Sequence, residues 1–118
     1  NVSAIHARAE ELGRDVQYRE KFDVCVSRAV ANMSTLLEYC IPFVKVGGVF
    51  VSYKSGDIKE ELVAADNAQK QLFCKNKDVI KFSLPNTDIN RSFVIFEKKK
   101  ELNKKYPRQG GKPKKNPL

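Results

Sequence analysis

The strongest constraint in this sequence is Phe22-Asp23-Val24-Cys25-Val26, a short apolar run that stops at Ser27-Arg28. A run this apolar has no free polar face. It suits a strand covered on both sides, as in a parallel sheet. In open α/β sheets ligands sit beyond the carboxyl ends of the strands. The charge at Arg28 therefore falls where a ligand contact is expected.

The rest of the chain repeats this theme. Val2-Ser3-Ala4-Ile5-His6 reads as a strand and Ala9-Glu10-Glu11-Leu12 as a helical turn stopped by Gly13. Arg14 to Lys21 is a polar connection. Asn32-Met33-Ser34 reads as a loop and Thr35-Leu36-Leu37-Glu38 as a capping box. The helix that follows should carry Leu36, Leu37, Cys40, Ile41 and Val44 on one face, kink or break at Pro42, and end at Lys45 and Gly47-Gly48. Val49 to Lys54 is a second buried strand. Asp57-Ile58-Lys59-Glu60 is another capping box, opening a helix to about Phe73. Lys77–Leu84 and Arg91–Glu97 are strands joined by the turn Pro85-Asn86-Thr87-Asp88, and should pair antiparallel. Alternation of strand and helix predicts an α/β fold: a mostly parallel sheet with helices on both faces, ending in an antiparallel hairpin.

Charge divides the chain in two. The net charge is +8, and all of it lies in residues 98–118, where nine Lys/Arg face only Glu101. Residues 1–97 are neutral and read as a partial domain; residues 98–118 read as a basic tail. A cationic tail attracts a polyanion, most often nucleic acid, or else simply keeps the protein soluble. Lys104, Lys105, Arg108 and Lys112 are the candidate phosphate contacts. Tyr106 and the prolines point to a partly ordered segment, with Tyr106 either docked on the domain or stacked on a base.

Other chemistries find little support. The three cysteines are widely spaced and in apolar contexts, as expected of structural thiols in a reduced compartment, here the cytoplasm. There is one histidine, His6, and no clustered ligand set, so neither a metal site nor a His-dependent catalytic triad is expected. No apolar run is long enough to span a membrane. The chain opens at Asn1 without Met or a secretion pattern and reads as a fragment or a processed chain.

Three stretches carry a family resemblance. They are His6-Ala7-Arg8-Ala9-Glu10, then Phe22-Asp23-Val24 with Ser27-Arg28-Ala29-Val30-Ala31, and the tail from Lys104-Lys105-Tyr106-Pro107-Arg108 to Leu118. Pro42 to Gly48 and Lys54 lie between them in the expected order. Together they resemble the bacterial small-subunit rRNA methyltransferase G family (RsmG, formerly GidB, glucose-inhibited division protein B). The resemblance implies the C-terminal half of a Rossmann-like S-adenosylmethionine-dependent methyltransferase, its last strand inserted antiparallel. It implies methyl transfer to N7 of a guanine in the 530 loop of 16S rRNA, with the small ribosomal subunit as partner. Carried over by motif, Ala9 and Glu10 lie beside the cofactor's adenine and Arg28 lies at the cofactor site. No catalytic residue is carried over. Arg28 equally suits a structural ion pair to a carboxylate such as Glu10.

The departure is large. The family's glycine-rich loop follows its first strand, and here neither Gly47-Gly48 nor Gly110-Gly111 opens a helix after a strand. These residues alone are therefore expected to bind the cofactor weakly. The Phe22 strand should be an exposed edge, inviting self-association. A non-catalytic RNA-binding module is the alternative, and a small-molecule methyltransferase a third reading that leaves the tail unexplained.

Overall fold

The computed structural model describes residues 3–28, 31–55 and 58–118. Four strands form one sheet: β1 (Phe22–Arg28), β2 (Val44–Ser55), β3 (Cys74–Ser83) and β4 (Asn90–Lys98), in the order β1-β2-β4-β3. β1 and β2 run parallel, and β4 is inserted antiparallel between β2 and β3. β1, β2 and β3 thus share one direction. The hairpin and the inserted last strand are as the sequence predicts. The helices are α1 (Ala9–Leu12), α2 (Met33–Cys40), α3 (Lys59–Ala64), α4 (Asp66–Gln71) and α5 (Lys112–Lys115).

Burial follows the pleat. Phe50, Ser52 and Lys54 of β2 and Ser92, Val94, Phe96 and Lys98 of β4 point to one face and are buried. α2 and α4 cover that face, giving a core of Met33, Leu37, Ile41, Leu72, Phe50 and Phe96. The Phe50 and Phe96 rings stack with centroids 6.1 Å apart. Each such ring contributes about 1.5–3 kcal/mol by leaving water. The opposite face is open: Val24, Val26 and Phe93 are 53%, 72% and 37% exposed. Helices on both faces were expected; among the described residues they cover one. β1 presents Phe22, Val24 and Val26 to the open face, while its other face, Asp23, Cys25 and Ser27, meets the helical layer only at Cys25. As expected, β1 is an edge strand, pairing among the described residues only with β2.

Several boundaries move. Ser3–His6 is not a strand: it is exposed and irregular, with no neighbouring strand to take its hydrogen bonds; Val2 lies outside the described residues. α2 starts at Met33, because Asn32 rather than Thr35 is the cap, its Oδ1 accepting from the Thr35 amide at 2.9 Å. Thr35 and Glu38 are taken by the tail instead. The break at Pro42 is confirmed, as a 3-10 turn over Ile41–Phe43. It ends the helix for good, so Val44 begins β2 rather than closing the helical face.

Gly47 does take a left-handed φ of 86°, but inside the strand, where the register to β1 slips. Gly48 lies so close to β1 that a Cβ there would sit 2.6 Å from the Asp23 carbonyl oxygen. Gly13 stops α1 by close approach rather than by left-handed geometry: its φ is −65°, and a Cβ would lie 3.2 Å from both Pro42 and Pro107. The long helix to Phe73 divides at Ala65 into α3 and α4, and Phe73 turns the chain with φ 53°. Asp57 of the second capping box lies outside the described residues.

The basic tail is part of the fold. The boundary at residue 97 falls inside β4, whose last residue, Lys98, is 1% exposed. Leu102 and Tyr106 join the core, and Pro107 and Pro113 are buried. The tail climbs α2 from its last turns to its first: Arg108 binds Glu38, and Thr35 Oγ1 donates to the Pro113 carbonyl at 2.8 Å.

Candidate functional site

β1 carries Arg28 to the carboxyl end of the sheet. Its register partner on β2 is Tyr53, and the guanidinium carbon lies 5.8 Å from the centre of that ring. The parity of both strands puts Val26, Arg28, Val51 and Tyr53 on the open face. Phe93 of β4 joins them opposite Tyr53, with ring centres 5.6 Å apart, and the Phe82 ring of β3 lies tilted against Phe93 at 5.1 Å. Val26, Ser27, Arg28, Val51, Tyr53 and Phe93 line a groove of about 500 Å³. It is an apolar shelf with one cation at its rim. Arg28 has no ion pair among the described residues, so the proposed structural pair to Glu10 is not made. Ala31 is held from β2: Lys54 Nζ donates to its carbonyl at 2.8 Å and pairs with Glu61 of α3. Ala29 and Val30 of the Ser27–Ala31 motif lie outside the described residues.

Glu10 is not brought to this rim. It is buried on α1, against α2. The Tyr39 phenol on α2's last turn is pushed up by burial and by the nearby Glu10 and Glu38 carboxylates. That turn precedes Val44, which pairs with Phe22 at the start of β1. Arg28 is at the other end, about 20 Å along the strand. The resemblance puts Glu10 and Arg28 at one cofactor site; in this structure they lie apart. The cause is plain: with Ser3–His6 outside the sheet, Ala9 and Glu10 are placed by α1's packing alone.

Among the described residues no carboxylate, thiol or imidazole lines the groove. The Cys25 and Cys40 thiols share a hydrogen bond, which lowers the Cys25 pKa and, with burial, raises that of Cys40. Burial pushes Cys74 up to about 12, leaving an inert thiol. His6 is exposed, and among the described residues no group of His, Cys, Asp or Glu has the arrangement of a metal site. Nor is any helix among them long and apolar enough to cross a membrane.

At the opposite end of the sheet the polar connection has a task the sequence did not reveal. Arg14 donates from Nε to the Pro107 carbonyl at 3.1 Å and reaches those of Lys104 and Lys105. Arg19 donates to the carbonyls of Gly13 and Tyr106 at 2.9 and 2.6 Å. Lys98 Nζ donates to the carbonyls of Ile41 and Val44 and pairs with Glu20 at 2.7 Å; burial lowers the lysine's pKa. Arg108 is likewise a pin, its Nε and Nη2 gripping the fully buried Glu38 carboxylate. This replaces its expected role as a phosphate contact. Tyr106 is docked, not free to stack: it is 4% exposed and its hydroxyl meets Gln71. Lys104, Lys105 and Lys112 remain exposed.

Residues 1–93 match the family model described as GidB, rRNA small subunit methyltransferase G. The chain belongs to this family. Over all 118 residues it is 52% identical to ribosomal RNA small subunit methyltransferase G of Lachnoclostridium phytofermentans, covering 49% of that protein. To the protein of the same name from Acetivibrio thermocellus it is 49% identical over its whole length, covering 48% of the relative. The chain therefore spans about half the length of these methyltransferase G relatives. The crystal structure of M1.HpyAVI shares the fold, with a TM-score of 0.56 over 81% of this chain and 56% of that one, at 20% identity.

Proposed function

We propose that the full-length protein transfers a methyl group from S-adenosylmethionine to N7 of a guanine in the 530 loop of 16S rRNA. This chain supplies the second half of its catalytic domain. Family membership carries the reading; the rim at Arg28 agrees with it. A guanidinium without an ion pair, beside an aromatic ring at the carboxyl end of a strand, fits a cofactor bearing a carboxylate and flat rings.

The cofactor, when bound, supplies an electrophilic methyl group. Guanine N7 already offers a free lone pair, so no side chain needs to remove a proton first. The described lining, Val26, Ser27, Arg28, Val51, Tyr53 and Phe93, holds no carboxylate, thiol or imidazole, which suits that chemistry. Arg28 holds and orients, and positioning of this kind supplies much of a transfer rate. Ala9 and Glu10 are proposed to reach the adenine once a preceding strand draws Ser3–His6 into the sheet. Lys104, Lys105 and Lys112 are proposed to meet phosphates of the small-subunit RNA in the cytoplasm.

The test is transfer of labelled methyl to undermethylated small subunits by the full-length protein and its Arg28→Ala variant. A charged hydrogen bond lost from the transition state costs about 1.5–3 kcal/mol, a ten- to hundredfold fall in rate. Melting should change little, since Arg28 is exposed. Unaltered transfer by the variant removes Arg28 from the site. Binding of RNA without transfer by the wild type supports the binding-module reading instead.

A further inference from the structure

The returning tail and the Arg14 turn enclose a second groove, of about 400 Å³, lined by Arg14, Lys105, Arg108, Gln109, Gly110 and Lys112. We propose that this groove docks the phosphodiester backbone of a structured RNA. The inference rests on the reading above for the identity of the polyanion.

Its charge is uncompensated. Among the described residues no carboxylate lines it, and of its charged side chains only Arg108 has an acidic partner. Arg14 is held by neutral carbonyl oxygens, which fix the guanidinium without cancelling its charge. Lys105 lies over the Tyr106 ring, 5.2 Å from its centre, and Lys112 is exposed; neither forms an ion pair among the described residues. Gly110 takes φ 67°, and its amide donates to no described residue. One fixed guanidinium, two unpaired lysines and a free amide suit phosphate oxygens.

Base stacking on Tyr106 is blocked: the ring is buried and Lys105 occupies the approach to its face. Backbone recognition is indifferent to sequence. The groove opens near Gly13 and Pro107, at the end of the sheet where β1 begins, whereas Arg28 lies at its far end. One RNA touching both must reach beyond about 20 Å, the length of β1. That calls for a folded RNA rather than a short oligonucleotide.

The experiment measures binding of a fluorescein-labelled RNA hairpin to the full-length protein across a salt series. The Lys105→Gln/Lys112→Gln double variant should lower the slope of log affinity against log salt by about 1.5–2, one phosphate contact per lysine. Its melting temperature should match the wild type, as both side chains are exposed. Lys77→Gln/Lys81→Gln, on β3, removes equal charge away from the groove and should leave the slope near the wild-type value. An unchanged slope in the first variant, or an equal fall in both, overturns the proposal. Methyl transfer measured in parallel separates the two readings. A wild type that transfers methyl while the groove variant keeps its slope leaves the enzyme and removes the groove. A groove variant that loses slope while the wild type transfers nothing does the reverse.

Discussion

Glu38→Gln tests the clasp that holds the tail on α2. The Glu38 side chain is fully buried, while that of Arg108 is 21% exposed. The carboxylate accepts from the Arg108 amide at 2.7 Å, from Nε at 3.0 Å and from Nη2 at 2.8 Å. Glutamine has the same shape but no charge, and its amide nitrogen faces a guanidinium donor. At least one of the two side-chain bonds is lost and the other loses charge assistance. At about 1.5–3 kcal/mol for each bond to a charged group, the loss approaches the 3–5 kcal/mol typical of breaking a buried pair. Arg108 recovers some water, which places the cost at the low end, about 3 kcal/mol. For a chain of this length that lowers the melting temperature by about 10–15 °C. Urea unfolding followed by circular dichroism gives the free energy. Trypsin reports on the tail, since Lys104 and Lys105 become cleavable once it lifts. Replacing both partners by leucine should recover part of the loss, because no buried charge is then left alone. A Glu38→Gln variant within about 1 kcal/mol of the wild type, its tail still protected, would refute the reasoning.

Two further outcomes follow from the sheet. Gly48→Ala puts a methyl 2.6 Å from the Asp23 carbonyl oxygen and 2.8 Å from Val44 Cγ1, both in strands that cannot part freely; overpacking of this kind costs about 1–3 kcal/mol, read as a shift in the urea midpoint. The bare β1 edge and the 72% exposed Val26 should drive these 118 residues, expressed alone, to associate. Val26→Lys should suppress that association in sedimentation velocity, and a wild type that stays monomeric at high concentration would contradict it.

What the sequence made legible was local and periodic. β1, β2 and the closing hairpin were readable because their alternation or apolar density has a period of its own. Pro42 announced the end of α2 because it lacks the amide a helix needs. The errors came where a distant partner decided. Thr35 and Glu38 form a capping-box pattern, yet their side chains bond residues 78 and 70 positions away. Arg14 and Arg19 read only as part of a polar connection because carbonyl oxygens, their partners, leave no trace in a sequence. Ser3–His6 has strand composition, but a strand needs a neighbour. At the rim, Arg28 stood out as a charge ending an apolar run. Tyr53 and Phe93 were legible only as alternate strand residues, since sharing a face depends on which strands adjoin.

The Glu38 clasp also sets an order of events during synthesis. Its partner is translated 70 residues later, after the whole sheet has been made. Until Arg108 emerges, α2 presents a carboxylate that desolvation keeps out of any apolar interior. A nascent chain can pair its strands, but it cannot seal that helix down until the segment carrying Arg108 has been made.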